Sequence, residues 1–142
     1  MFSYREEPDY SATILRKTSG KGVDVILDPI LASNFDYNME SLAEDGRWVM
    51  YGSMGGVLVS HAKYTKLLAK RGSIIATLLR SRSDEYKTKV VKGFEKDCLE
   101  DFSVGKLRPI IDRVYKMSEV KEAHEYMHTN ANVGKIVLKF DL

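Results

Sequence analysis

Three short apolar runs, separated by amphipathic segments, constrain the fold of this chain more than any other feature. The runs are "VDVIL" (23–27), "RWVMY" (47–51) and "SIIATLL" (73–79). Short runs rich in apolar and β-branched residues are typical of strands that are covered on both faces, as in a parallel sheet. Strand, helix, strand at this spacing indicates right-handed βαβ crossovers. The sequence therefore predicts an α/β fold with an incomplete doubly wound parallel sheet and flanking helices.

Three helices are predicted around these strands. They cover 9–18, closed by Gly20, then 33–46, with Ser33 and Asp36 as capping residues, and 60–70. In the third helix the period of 3.6 residues directs Tyr64, Leu67 and Leu68 inward. Gly46 suits the turn between the second helix and the second strand.

The remaining chain is predicted to alternate between helix and strand in the same way. An amphipathic helix over 84–99 repeats Tyr86, Val90, Phe94 and Cys98 at every fourth position. A strand-like "PIIDRVY" (109–115), a helix over 118–129 and a final strand "KIVLKF" (135–140) follow it.

Composition excludes several classes of protein. A chain of 142 residues is long enough for one ordinary domain, and its net charge of +2 is too small to imply a nucleic-acid or membrane partner. The single cysteine, Cys98, cannot form an internal disulfide, so a cytoplasmic location is expected. No apolar run is long enough to cross a bilayer. The basic cluster is interpreted as a solvated face, with nucleic-acid binding as an alternative that is not expected; it consists of Lys63, Lys66, Lys70, Arg71, Arg80 and Arg82.

The stretch "HEYMH" (124–128) matches the zinc-protease pattern H-E-x-x-H. Zinc in such a site needs a third protein ligand. The extended pattern would require a glycine and then a histidine at fixed distances downstream, and the chain has Ala131 and Gly134 there. No glutamate follows Glu125. The match is therefore interpreted as coincidence, and no metal site is predicted.

Ligands of open α/β sheets bind at the carboxyl ends of the strands. Here "DPI" (28–30), "GSMGG" (52–56) and "RSR" (80–82) occupy those positions. The glycines of 52–56 allow backbone to approach a ligand and expose N–H donors, or they serve only a tight turn, and the sequence leaves both interpretations open. No G-x-G-x-x-G phosphate-binding pattern occurs in the chain.

Five segments, in order, resemble the carboxyl-terminal half of zinc-free quinone oxidoreductases of the medium-chain dehydrogenase/reductase superfamily. The segments are "GVDVILDPI", "LAEDGRWVMYGSMGG", "KLLAKRGSIIATLLRSR", "PIIDRVYKMSEVKEAHEYM" and "ANVGKIVL". This resemblance implies a truncated NADP-binding Rossmann domain over residues 1–142, starting at about the third strand. It also implies that the carboxyl-terminal segments belong with a catalytic domain that the chain lacks.

The resemblance further implies hydride transfer from NADPH to a quinone or an electron-poor alkene without a metal. It assigns no catalytic residue, but it implies a set of cofactor-binding residues: Tyr4, Pro29, Ile30, Gly52, Ser53, Met54, Gly55, Leu78, Leu79, Asn132, Gly134 and Lys135. Tyr4 would lie by the adenosine 2′-phosphate, and 132–135 would close over the cofactor.

Two hypotheses remain open. In the first, the chain is part of an NADPH:quinone oxidoreductase and binds NADPH weakly or not at all by itself, because the glycine-rich pyrophosphate loop is absent. In the second, it is a non-catalytic module that associates with itself or with a partner. The resemblance implies a homodimer through residues 73–79, since a strand of this kind without charge or proline tends to recruit another strand.

Overall fold

The computed structural model describes residues 6–7, 9–60, 62 and 64–140. It divides into two compact units, Met1–Arg82 and Ser83–Leu142, and each is described by itself. The elements of the first unit are α1 (Tyr10–Lys17), β1 (Val23–Asp28), a 3-10 turn at Ala32–Asn34, α2 (Phe35–Ser41), β2 (Leu42–Met50), α3 (Thr65–Ala69) and β3 (Ser73–Ala76). Those of the second are α4 (Asp84–Ser103), β4 (Ile111–Lys116), a 3-10 turn at Met117–Glu119, α5 (Val120–His128) and β5 (Lys135–Lys139).

The first unit contains a three-stranded parallel sheet in the order β1-β2-β3. Ile26 pairs with Trp48, and Trp48 pairs with Ile74 across the sheet. The described strands β1 and β3 are the two edges of this sheet. Parallel order and edge positions agree with the α/β fold predicted from the three apolar runs.

The core of this unit lies between α2 and one face of the sheet. Phe35 and Met39 of α2 pack with Leu42 and Trp48, and all four side chains are buried. The rings of Phe35 and Trp48 lie 5.3 Å apart at a tilt of 55°. Burying a large apolar side chain contributes about 1.5–3 kcal/mol, so this cluster is the main apolar contribution to the unit.

The prediction of a helix over 33–46 is wrong at both ends. The N-cap is Asn34 without a side-chain hydrogen bond, so Ser33 and Asp36 are not the caps. The helix ends at Ser41, and Leu42 is already extended and pairs with Val23. Leu42 is 1% exposed, so its burial in the core favours the extended backbone over another helical turn.

An irregular bulge separates Leu42 from the regular part of β2. Val23 pairs with Leu42, and the next pair is Val25 with Arg47, so the four residues 43–46 of β2 have no partner on β1. Asp45 adopts a positive φ of 57° within the bulge, and its N–H donates to Lys70 O at 2.7 Å. Local periodicity did not reveal this bulge, because the apolar residues around it also fit a continuing helix.

The third helix and the third strand are shorter than predicted. α3 has five residues rather than the segment 60–70, and its Leu67 packs against the core. Tyr64, just before α3, is half-exposed, but its ring contacts the core residue Phe35 edge-on at 6.1 Å. The expected inward orientation of Leu68 is wrong, since this side chain is 76% exposed. β3 ends at Ala76, so 77–79 lies beyond the strand that was predicted over 73–79.

A buried carboxylate at the end of β1 joins the sheet to α2. Asp28 Oδ2 accepts hydrogen bonds from Trp48 Nε1 at 3.0 Å and from Asn38 Nδ2 at 2.9 Å. Its Oδ1 accepts from the backbone N–H groups of Ile30 at 2.8 Å and Leu31 at 3.1 Å. Four donors from three parts of the chain therefore converge on one side chain.

The first helix attaches to this cluster through a tyrosine. Tyr10 O–H donates to Asn38 Oδ1 at 2.9 Å, and burial, together with the Asp28 carboxylate, raises the pKa of Tyr10 above its usual value. α1 begins after Asp9, whose side chain accepts from Ala12 N, and Gly20 N–H donates to Leu15 O at 2.7 Å beyond its end. The predicted helix over 9–18 and its closure at Gly20 are confirmed.

The second unit pairs β4 with β5 in parallel, and α5 packs on them. The apolar side of α5 is Ala123 and Met127, which line a shallow cavity of about 120 Å³ with His124, Ile136 and Leu138. α4 begins after Ser83, whose hydroxyl accepts from Tyr86 N at 3.2 Å. No helix in the described parts of the chain is long and apolar enough to cross a membrane.

We expect Asp28→Ala to destabilise the chain by about 3 kcal/mol, because it leaves buried donors on Trp48 and Asn38 without an acceptor. Urea unfolding followed by circular dichroism measures the change. Asp24→Ala is the matched control on the same strand, since Asp24 only forms an exposed ion pair with Lys21 at 3.0 Å. Its effect should stay within about 0.5 kcal/mol. Equal losses in the free energy of unfolding for the two substitutions would show that the hydrogen bonds to Asp28 do not stabilise the unit.

Candidate functional site

Three loops leave the parallel sheet at the carboxyl ends of its strands, which lie side by side. They span 29–31 after β1, 51–56 after β2 and 77–82 after β3, and we call them the carboxyl-end loops. Because the strands are parallel, all three loops lie at the edge where open α/β sheets bind ligands. The structure thus places "DPI", "GSMGG" and "RSR" at a common edge, as predicted.

The first two carboxyl-end loops are hydrogen-bonded to each other through their backbones. Met54 N–H donates to Pro29 O at 3.1 Å, and Gly55 N–H donates to Ile30 O at 2.8 Å. On the far side of the same contact Ala32 N–H donates to Gly56 O at 3.2 Å. The two loops therefore form one ledge at the end of β1 and β2.

The glycines of 51–56 serve this loop-to-loop contact. A Cβ on Gly52 would lie 2.7 Å from Pro29 O, and a Cβ on Gly55 would lie 2.2 Å from Ser33 Oγ and 2.5 Å from Ile30 Cγ2. The N–H groups of Met54 and Gly55 are bonded to carbonyl groups within the ledge, so these two donors are already engaged. Of the two interpretations that the sequence left open, the structure favours close packing of the turn.

The backbone of the first loop is strained at Leu31, which has φ +70° and ψ −103°. A branched side chain seldom adopts this region, and such residues persist where the surroundings hold them. Asp28 Oδ1 supplies that restraint through the Leu31 N–H at 3.1 Å. The buried carboxylate thus determines the shape of the ledge as well as the packing of the core.

The side chains that remain at the edge are mainly apolar. Met54 is 77% exposed, and Leu78 and Leu79 are more than half exposed. Thr77 N–H donates to Met50 O at 2.9 Å, which holds the third loop beside the end of β2. An apolar ring that sits on the ledge would meet these side chains.

The predicted cofactor-binding residues divide between the two units. The first unit places eight at its carboxyl-end loops: Pro29, Ile30, Gly52, Ser53, Met54, Gly55, Leu78 and Leu79. Asn132, Gly134 and Lys135 belong to the second unit. Tyr4 lies outside the described residues.

In the second unit an aspartate that the sequence analysis missed holds the segment 129–135. Asp112 Oδ1 accepts from Val133 N–H at 3.0 Å, and its Oδ2 accepts from Tyr126 O–H at 2.9 Å. These two hydrogen bonds, first the one from Val133, lower the pKa of Asp112. The guanidinium of Arg113 lies 3.9 Å from the centre of the Tyr126 ring. In the sequence, the one indication that Asp112 has a structural role is its position inside the apolar run "PIIDRVY".

The same segment is fixed at its other end by Gly134. Its φ is +110°, and a Cβ there would lie 2.4 Å from Ile110 O. Lys135 N–H donates to Ile110 O at 2.8 Å, and Asn132 Nδ2 donates to Gly134 O at 3.2 Å. Asn132 thereby lies on an ordered turn before β5, and Lys135 is the first residue of that strand.

The histidines of "HEYMH" lie one turn apart on α5, and His124 lines the shallow cavity beside Met127. Among the residues that the structure describes, no group of three or more histidine, cysteine, aspartate or glutamate side chains is placed to hold a metal ion. The two histidines therefore lack a third ligand among the described residues and do not fit a zinc ion.

Part of the basic cluster is engaged with acidic residues or carbonyl groups. Arg71 donates to Asp45 at 2.9 Å and to Glu44 at 3.0 Å, which raises its pKa. Lys66 pairs with Glu40. Lys70 Nζ donates to the carbonyls of Met39 and Glu40 at 2.9 and 2.6 Å, and its partial burial lowers its pKa. Lys63 lies outside the described residues, and Arg80 and Arg82 belong to the third carboxyl-end loop.

This fold is that of a Rossmann-type dinucleotide-binding domain. The human synaptic vesicle membrane protein VAT-1 homolog-like protein superposes with a TM-score of 0.67 over 94% of this chain and 37% of its own, at 23% identity. A likeness at that identity shows the fold alone. The family follows from the sequence: the model of the zinc-binding dehydrogenases matches residues 1–138, and the chain belongs to that family.

Its curated relatives include quinone oxidoreductases. Those of Homo sapiens and Lama guanicoe are 29% and 28% identical over 143 and 141 residues. Each alignment covers 97% of this chain, and the chain spans only about 40% of either relative. The resemblance to quinone oxidoreductases is confirmed, and the family is one of oxidoreductases.

We expect the amide proton of Val133 to report the titration of Asp112. The pKa of Asp112 is lowered in the folded chain, so its hydrogen bonds are fully present above the ordinary carboxyl value of 3.8 and are lost as the pH falls through the lower folded value. A ¹⁵N-edited NMR titration should give a midpoint below 3.8 for the Val133 shift.

Two substitutions control this titration. Asp112→Asn should abolish it, and Asp101→Asn should leave it unchanged, because Asp101 pairs with Lys106 at 3.0 Å in a separate contact. A midpoint above the ordinary carboxyl value would show that Asp112 does not hold the segment.

Proposed function

We propose that this chain is the cofactor-binding portion of an NADPH-dependent quinone oxidoreductase. Three facts support the proposal: membership of the zinc-binding dehydrogenase family, quinone oxidoreductases among the relatives, and carboxyl-end loops gathered at one edge of a parallel sheet. The substrate is a quinone or another electron-poor alkene, and the reaction is hydride transfer without a metal. At the level of the family the cofactor is a nicotinamide dinucleotide. For this chain we propose the phosphorylated form, NADPH.

The observation that carries the proposal is the ledge formed by 29–31 and 51–56. Its shape depends on backbone contacts, so a nicotinamide ribose would meet a preformed surface rather than a mobile loop. Exposed Met54, Leu78 and Leu79 provide apolar contacts for the nicotinamide ring and displace water from it. Hydride chemistry belongs to the cofactor, and these residues bind and orient it.

The described residues offer no comparable site to the diphosphate of the cofactor. Pyrophosphate groups normally bind the N–H groups at a helix N-terminus after a glycine-rich loop, and no such pattern occurs in the sequence. We therefore propose that the chain alone binds NADPH weakly or not at all and turns over no quinone. The remainder of a complete enzyme would supply the missing contacts.

A chimera tests the proposed function. The matching 40% of the human quinone oxidoreductase is replaced by this chain, and NADPH oxidation is measured with a naphthoquinone. The chimera should be active, whereas this chain alone should not. Gly55→Val should raise the KM for NADPH about tenfold or more, since displacing the ledge by even 1 Å impairs orientation.

Gly93→Val is the matched control in the chimera, because Gly93, like Gly55, lacks a positive φ and no atom lies within 4 Å of a Cβ there. It should leave the KM for NADPH unchanged. A folded chimera that binds no NADPH, or one that is indifferent to Gly55→Val, contradicts the proposal.

The second candidate is a self-associating module, which the exposed edge of β3 favours. Ile75 is exposed on a strand that has a neighbour only on the β2 side among the described residues. Successive backbone N–H groups of a strand point to opposite sides, and Thr77 N–H points to β2, so Ala76 N–H points away from the sheet. We propose a homodimer that pairs this edge antiparallel across a two-fold axis.

Two substitutions at this edge are expected to weaken the dimer. Ala76→Pro removes an outward N–H without touching the bond from Thr77, and Ile75→Lys adds a charge to the contact. Each should raise the dissociation constant about tenfold or more, as sedimentation equilibrium at micromolar concentration would measure. Leu68→Lys, on exposed α3, is the control and should have no effect. A monomeric wild-type chain, or a dimer that tolerates both edge substitutions, excludes this arrangement.

A further inference from the structure

The longest helix of the chain, α4, buries none of its 20 residues. Its Val91 is 64% exposed, Phe94 is 52% exposed, and Cys98 is only partly buried. Helices in proteins owe most of their stability to the packing of an apolar face, and Gly93 in the middle of α4 lowers its intrinsic propensity further. The described residues thus leave open an apolar face on a helix that needs packing.

One narrow face of α4, which we call the seam, has apolar side chains in its middle and a charge at each end. It consists of Lys87, Val91, Phe94, Cys98 and Asp101. At 3.6 residues per turn these positions lie within about 80° of one another around the helix axis. Their spacing alternates between four and three residues, the pattern with which one helix packs along another. Lys87 precedes Phe94 by seven residues, and Asp101 follows it by seven.

We propose that the seam pairs with the seam of a second copy of this chain, antiparallel about a two-fold axis at Phe94. Each Lys87 then lies level with Asp101 of the other copy, and the two Phe94 rings meet at the axis. A parallel pair would place lysine beside lysine and aspartate beside aspartate, and like charges that face each other oppose association. The whole helix has this polarity, because 84–93 carries three lysines and two carboxylates, whereas 94–103 carries one lysine and four carboxylates.

The charged ends of the seam have partners within the chain that do not compete with this contact. Lys87 Nζ lies 3.4 Å from Asp84, and Lys106 Nζ lies 3.0 Å from Asp101. Exposed pairs of this kind contribute little to stability. A carboxylate accepts several hydrogen bonds and an ammonium donates three. Lys87 of the other copy can therefore join Asp101 without displacing Lys106.

The proposed contact is separate from the edge of β3 and requires neither NADPH nor a quinone. A pair of 20-residue helices is about 30 Å long and buries less area than a standard interface. We therefore expect a dissociation constant on the order of 10–100 μM for this contact alone. Its sedimentation measurements are made in the Ala76→Pro chain, so that pairing through β3 does not contribute.

Cysteine crosslinking tests the register. At a rise of about 1.5 Å per residue, the two Cys98 side chains would lie about 12 Å apart along the axis, which is too far for a disulfide, whereas position 91 would lie almost level with Cys98 of the other copy. Val91→Cys should therefore give a disulfide-linked dimer on a non-reducing gel after mild oxidation. The unsubstituted chain and Val91→Cys with Cys98→Ser should stay unlinked. Lys89→Cys, on the opposite face of α4, is the matched control and should also stay unlinked.

Charge reversal tests the pairing of the two ends. Lys87→Glu and Asp101→Lys should each raise the dissociation constant about tenfold, because each breaks two symmetry-related ion pairs and adds repulsion. The double variant should return to within about twofold of the unreversed chain, since it exchanges the two charges. Lys89→Glu is the control for net charge and should have no effect. Sedimentation equilibrium measures all four constants, and circular dichroism checks that α4 is retained.

Disulfide formation in the unsubstituted chain, or in Val91→Cys with Cys98→Ser, would indicate a parallel pair and overturn the proposal. Failure of the double reversal to restore association would also overturn it. A chain that stays monomeric well above the expected dissociation constant would assign the seam to a different partner.

Discussion

The carboxylate of Asp28 is the interaction on which the first unit depends. A buried charge is costly unless hydrogen bonds replace its hydration, and here the indole of Trp48, the amide of Asn38 and two backbone N–H groups do so. The same side chain joins β1 to β2, β1 to α2, and the end of β1 to the strained turn at Leu31. Core packing and the shape of the ledge are consequently linked through one side chain.

The ledge is ordered by backbone hydrogen bonds between its own two loops. Its N–H groups at Met54 and Gly55 are bonded to the carbonyls of Pro29 and Ile30, which leaves side chains rather than backbone to face a bound molecule. Under the proposed function, a bound cofactor would therefore meet the exposed apolar side chains of Met54, Leu78 and Leu79. The second unit also orders a segment through hydrogen bonds within the chain. Asp112 accepts from Tyr126 and from Val133 N–H, and thereby holds the turn before β5.

Local periodicity was sufficient to locate the strands and α1, because an apolar pattern depends on residues close in sequence, although β3 ends at Ala76 rather than at 79. Their parallel order followed from the helical spacing between them. Local periodicity failed where distant residues decide the backbone. Burial of Leu42 ends α2 early, and the bond from Asp45 N–H to Lys70 O stabilises a bulge that no local pattern announces. Asp28 was visible only as a residue at the end of a strand, since its side-chain partners lie 10 and 20 positions away. The candidate loops were found from strand ends, whereas the role of their glycines required the contact with Pro29 and Ile30.

Trp48 is the single tryptophan of the chain and is fully buried. Its indole donates to the same carboxylate that accepts the N–H groups of Ile30 and Leu31, so Asp28 connects the fluorophore directly to the ledge. The emission of an indole depends on its polarity and hydration. Intrinsic fluorescence, excited selectively at the tryptophan, therefore gives this chain an optical probe of the ledge that needs no label and no substitution.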